Sequence, residues 1–194
     1  MSGLPELAED NNKDEIVRLL QQGADVNEQT EYGRTALFVA CLYNTELVQI
    51  LLQNKKINVN LKSNYVSGPF YTACSNDNYE CVLIMLQDAR VDVNLAGNTY
   101  GWSPLMIACY WGNNKTVQLL ISFGRNIDIH KKSTKDYLGI KSGSTALDVA
   151  KQKNETAVVQ LLEQYQNYPK ETQKTIRNQL NLKGKNQTYV VHFF

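Results

Sequence analysis

Histidine is nearly missing from this 194-residue chain: there are two, His130 and His192, both in irregular stretches. That leaves no Ser-His-Asp or Cys-His arrangement to activate a nucleophile, so no catalytic residue is expected. The four cysteines, Cys41, Cys74, Cys81 and Cys109, form no C-x-x-C pair, and no H-E-x-x-H motif occurs. Their spacing argues against a zinc site and against a disulfide framework, so no metal is expected and a reducing, cytoplasmic setting fits. No Gly-rich loop follows a strand, which removes the usual phosphate cradle and leaves no cofactor to expect. Charge of one sign is also lacking. A formal net charge of +1 argues against nucleic acid or an anionic membrane as partner, since both demand a basic surface. No apolar run approaches the ~20 residues needed to span a bilayer. The stretch MSGLPELAEDNN has no basic segment leading into an apolar one, so it does not read as a signal peptide.

What is present is ordinary in composition and unusual in order. The apolar share of 43% and charged share of 20% suit a soluble domain, or one domain plus an appendage. A closing tripeptide recurs as Asp25-Val26-Asn27, Asn58-Val59-Asn60, Asp92-Val93-Asn94 and, more loosely, Asn126-Ile127-Asp128. An alanine recurs in step with it, at Ala8, Ala40, Ala73, Ala108 and Ala150. Four openings share a small residue, then Pro or Ala, then a large apolar residue: Thr35-Ala36-Leu37, Gly68-Pro69-Phe70, Ser103-Pro104-Leu105 and Thr145-Ala146-Leu147. Independent markers holding one period of about 34 residues define a repeat protein. Cys41, Cys74 and Cys109 each follow one of these alanines, which reads as small buried packing.

The best-formed unit is GWSPLMIACYWGNNKTVQLLISFG, Gly101 to Gly124. Pro104 opens a short helix, Gly112 and Asn113 break it, and Val117, Leu119, Leu120 and Ile121 line a second. A helix pair this short cannot bury its own apolar face, so it needs neighbours of the same kind.

On these residues, with GRTALFVACLY and VRLLQQGADVN, the chain resembles the ankyrin-repeat family over about residues 4 to 165. The resemblance implies an all-α solenoid of about five helix-turn-helix units joined by short β-hairpin fingers. The units fall at about 1–32, 33–66, 67–100, 101–142 and 143–165. Residues 166–182, with Pro169, Ile176 and Leu180, read as a C-terminal capping helix. Residues 183–194, ending in the apolar YVVHFF, read either as a tail folded back on the solenoid or as the start of a missing domain.

Several departures from the family pattern stand out. The second unit is one residue short between its helices. Val66 stands where neighbouring fingers have Gly33 and Gly101, and a non-glycine there is expected to alter the turn. The connection after Asp128 is about nine residues longer than its counterparts and holds Lys131, Lys132, Lys135 and Lys141. It reads either as a functional finger or as a tolerated surface insertion.

The family's contact positions flank the finger glycine and end the first helix. Carried onto this chain, they are Glu31, Tyr32, Arg34, Leu42 and Tyr43 in the second unit. The third supplies Asn64, Tyr65, Ser67, Ser75 and Asn76, and the fourth Thr99, Tyr100, Trp102, Tyr110 and Trp111. Tyrosine and tryptophan favour interaction hot spots, so this set predicts a concave groove for a protein or peptide partner. The alternative is that these aromatics pack on neighbouring units. Asn27, Asn60 and Asn94 lie in a context resembling that of asparagine hydroxylation in some ankyrin repeats, although capping and holding the hairpin by side-chain hydrogen bonds is the stronger reason for their presence. The expectation is a non-enzymatic, monomeric interaction module. A targeting or regulatory domain of a larger enzyme or effector, and a structural spacer, are the alternatives.

Overall fold

The computed structural model describes residues 3–182. Among these residues apolar patterning and capping produce ten short helices in five pairs. These are α1 (Leu4–Glu9) with α2 (Lys13–Gln21), α3 (Ala36–Tyr43) with α4 (Thr45–Leu52), and α5 (Pro69–Ser75) with α6 (Tyr79–Gln87). Then come α7 (Pro104–Tyr110) with α8 (Asn114–Ser122), and α9 (Ala146–Gln152) with α10 (Thr156–Asn167). None exceeds 12 residues, the length near which an isolated helix becomes even marginal in water, so packing has to hold them. The start of most of these helices is nevertheless written locally. Thr35, Asn44, Asn78, Ser103 and Thr145 each accept a backbone N–H from the first turn, while Pro69 and Pro104 open their helices with a preset φ.

The first helices stack in one row, α1 on α3 on α5 on α7 on α9, and α4, α6, α8 and α10 form a second row behind them. The core lies between the rows and includes Leu37, Leu47, Leu51, Met85, Leu86, Leu105, Leu119 and Leu120. The fold is all-α. Among the described residues the fingers hold only isolated bridges, Gln29 with Thr35 and Tyr137 with Ile140, so they are tight turns rather than extended hairpins.

A final helix, α11 (Pro169–Gln179), packs on α8 as well as on α10 and so straddles two units. Ile176 and Leu182 are buried there, and Gln173 donates to the Ile121 carbonyl at 2.9 Å. Residues 183–194, for which a tail or further domain was expected, lie outside the described residues.

The geometry corrects the register in two places. In the first unit the anchor position belongs to Leu7, not Ala8. The Asn12 N–H bonds the Leu7 carbonyl just as Asn78, Asn113 and Glu155 bond those of Ala73, Ala108 and Ala150. The fourth closing motif is Asp128-Ile129-His130, not Asn126-Ile127-Asp128. Asp128 Oδ1 accepts the His130 N–H at 3.0 Å, as Asp25, Asn58 and Asp92 accept those of Asn27, Asn60 and Asn94. The long connection is therefore two residues shorter than the sequence count suggested.

The short second unit has a clear cause. Four units turn between helices through a left-handed residue: Asn11, Asp77, Gly112 and Asn154. The second has none there. Its α3 runs straight to Tyr43, and Asn44, at φ −143°, closes α3 and caps α4 at once.

Val66 overturns the expectation that its turn would differ. It adopts φ +68°, beside +71° at Gly33 and +78° at Gly101. Its N–H bonds the Ser63 carbonyl at 2.8 Å, as the Gly33 N–H bonds that of Thr30 at 2.8 Å. The turn is kept, and the valine carries the strain.

Candidate functional site

Two rows of side chains define the face made by the first helices and the fingers. One ends the first helices: Glu9, Leu42, Ser75, Tyr110 and Gln152, each followed by Asp10, Tyr43, Asn76, Trp111 and Lys153. In three units the first of each pair meets the fingers. Glu9 pairs with Arg34 at 3.2 Å, Tyr110 packs on Trp102 with ring centres 5.4 Å apart, and Gln152 donates to the Gly139 carbonyl at 2.7 Å. The second of each pair is exposed in every unit.

The predicted contact residues therefore divide. Tyr43 is 77% exposed, Tyr65 72%, Trp111 57% and Tyr32 45%. These four rings form a display of apolar surface carried on separate helix ends and finger tips. Asn76 is exposed, and its amide donates to the Thr72 carbonyl at 2.8 Å. Arg34, Leu42, Ser75, Tyr100 and Tyr110 are half-buried. The Arg34 guanidinium lies 5.6 Å from the Tyr32 ring centre, and Lys153 lies 4.5 Å from that of Tyr110.

Trp102 does not belong to that display. It is 0% exposed, and this corrects its assignment as an open contact. The reason lies in the long connection. Tyr137 stacks on Tyr100 at 4.1 Å and meets Trp102 edge-on at 5.3 Å, while Tyr110 closes the other side. Ile140 and Ser133 are buried with them. Leu138 and Gly139, both with positive φ, turn this flap, and the Tyr137 and Ile140 backbones bond each other at 2.9 Å. The long connection is thus a folded cover over the fourth unit, not an arm reaching outward. The Trp102 indole N–H meets no acceptor among the described residues. Its ring is core, and truncating a buried tryptophan costs ~3–5 kcal/mol.

The three asparagines also have a structural account. Asn27 donates to the Lys56 carbonyl at 2.9 Å and accepts the Asn58 N–H at 2.7 Å. Asn60 does the same with Arg90 and Asp92, and Asn94 with Asn126 and Asp128. Each amide spans the junction to the next unit instead of closing its own turn. Sequence reasoning placed the bond inside the hairpin; the constant distance from one asparagine to the next motif was the available signal.

Cys41, Cys74 and Cys109 are buried. Burial pushes their thiols up, with neighbouring Cys81 adding to the effect at Cys41, so they remain neutral packing groups. Among the described residues no group of three His, Cys, Asp or Glu side chains could hold a metal ion. No helix among them is long and apolar enough to cross a membrane.

Paired helices stacked in register, with finger turns along one edge, define a repeat scaffold with a variable face. A family model for ankyrin repeats (3 copies) matches residues 6–96 and 90–173, and the chain belongs to the ankyrin-repeat family. Among curated relatives, the mitochondrial disaggregase of Homo sapiens is 48% identical over 52 residues. That stretch is 26% of this chain and 7% of the relative, so the similarity reaches a small part of either. Ankyrin repeats are generally protein-interaction modules and typically non-catalytic.

Proposed function

We propose that this chain is a non-enzymatic binding module that holds a protein or peptide partner across the helix-end and finger-tip rows of its second to fourth units. The observation that carries this reading is the exposure of Tyr32, Tyr43, Tyr65 and Trp111 along one face. Rings at such positions bury large area at low entropic cost when covered, and each central one contributes ~2 kcal/mol or more. Arg34, Leu42, Ser75, Asn76, Tyr100 and Tyr110 flank them, whereas Trp102 and Tyr137 support the platform from beneath. A monomer in the cytoplasm goes with this reading.

The test is capture from a cell lysate by the wild-type chain and by a Tyr43→Ala, Trp111→Ala variant. Both rings are exposed, so the variant should melt within a degree or two of wild type and lose the captured partner. Equal capture would remove this face from consideration. A second reading, a targeting or regulatory domain of a larger enzyme or effector, draws on the match to a short part of a much longer disaggregase. It expects the natural gene to continue in frame past Phe194.

A further inference from the structure

Two independent rows on this face change charge in the same direction. Along the exposed helix ends the sequence of positions is Asp10, Tyr43, Asn76, Trp111, Lys153, from first unit to fifth. Along the finger tips, two residues before each turn residue (Gly33, Val66, Gly101 and Gly143), it is Glu31, Asn64, Thr99, Lys141, and all four are exposed. Each row begins with a carboxylate, runs through uncharged or aromatic side chains, and ends with an ammonium.

Local pairing trims this gradient without reversing it. At the first end Glu9 and Arg34 satisfy each other at 3.2 Å, leaving Asp10 and Glu31 exposed. At the last end Asp136 holds Lys141 at 2.9 Å, but Lys132, Lys135 and Lys153 stay exposed on the cover and the last helix end. Charges grouped at opposite ends of these two rows, with uncharged side chains at the row positions between them, bias orientation more than affinity.

We infer that the groove takes an extended peptide segment in one orientation, its basic end over the first unit and its acidic end over the fourth finger and fifth helix pair, with apolar or aromatic residues between them on Tyr43, Tyr65 and Trp111. This rests on the groove reading above and deepens it. Length follows from spacing. Four steps between stacked helices, at about 8–10 Å each, separate the charged ends by about 32–40 Å. An extended chain at about 3.3 Å per residue covers that with about 10–12 residues.

The experiment is selection of a random 16-residue peptide display library on the full chain. It is followed by binding of the enriched synthetic peptides, labelled with fluorescein, to wild type and two exposed-surface variants. One variant reverses charge (Lys132→Glu, Lys135→Glu, Lys153→Glu); the other removes rings (Tyr43→Ala, Trp111→Ala). The expected peptides carry a basic and an acidic cluster about ten residues apart with apolar residues between. They should lose at least tenfold in affinity to either variant and weaken as salt is raised. Peptides that need the rings but show no charge polarity, or ignore the charge reversal, would overturn the inference and leave the groove standing. Peptides indifferent to the ring variant would sink both. With no enrichment the peptide inference fails. In that case light scattering that finds a dimer dissolved by the charge reversal makes a second copy the occupant.

Discussion

Val66 offers the sharpest check on the backbone described here. A left-handed conformation costs an ordinary L-residue roughly 1–3 kcal/mol, and a β-branched side chain sits near the middle of that range or above. Val66→Gly removes that strain, taken as about 2 kcal/mol. Against it stand about 0.5–1 kcal/mol for the freedom glycine loses on folding, and about 0.5 kcal/mol for the apolar contact of a half-buried valine. The balance is a gain of about 0.5–1 kcal/mol, or roughly 1–4 °C in melting temperature for a chain this size. That sign is the point, because Val→Gly in an ordinary loop loses stability. The assay is urea unfolding followed by helix circular dichroism, since both tryptophans sit in the fourth unit and report on it alone. The midpoint should rise with an unchanged slope. The reciprocal Gly33→Val change should cost more than about 2 kcal/mol. It adds the same strain and a clash, because a Cβ there would lie 2.4 Å from Asn64 Oδ1 and 2.7 Å from its backbone nitrogen. A Val66→Gly protein less stable than wild type would mean that the valine does not adopt this turn.

Two further outcomes rest on local geometry. Gly97→Ala should destabilise by about 1–3 kcal/mol, because its Cβ would fall 1.9 Å from Cγ of Tyr71. In a double-mutant cycle with Tyr71→Ala the penalties should be strongly non-additive, and simple additivity would show that the ring is not the obstacle. Asp88 supplies the pH dependence: burial pulls its carboxyl up, but the bonds and charge of Arg90, 2.6 Å away, outweigh this and leave it below the ordinary carboxylate value. Its stabilisation is therefore complete above the unfolded pKa of about 3.9 and is lost as pH falls through the lower folded value. Asp88→Asn should lower the urea midpoint at pH 7 by a margin that closes towards pH 2.5, and a constant margin would exclude this carboxylate as the cause.

The period and the helix pairs were legible because each unit writes its own signals: a capping Thr, Ser or Asn, a Pro at the helix start, a break at Gly112. The site was only half legible. Tyr43 and Trp111 end exposed because their helix position faces solvent in every unit, which the family pattern already implies. Trp102 has the same local context as an exposed finger residue, yet Tyr137, 35 positions later in the chain, covers it. Nothing near Trp102 in sequence announces that contact. The register of the first unit was misread because Leu7 replaces the small anchor residue and Ala8 follows it, so alanine alone was a poor marker. At the fourth motif, His130 replaces the closing asparagine, and a superficially similar triplet two residues earlier drew the alignment.

The amides of Asn27, Asn60 and Asn94 have one further consequence. Three successive junctions are closed by the same pair of bonds to the same two backbone groups of the following unit. A whole unit can therefore be excised or duplicated between them while both flanking seams stay chemically identical. At the fourth closing position His130 stands in place of that asparagine, and the connection after it is held instead by Tyr137 against Tyr100 and Trp102. The scaffold is modular through its middle and bespoke at its last joint, so changes in groove length fall most cheaply among its interior units.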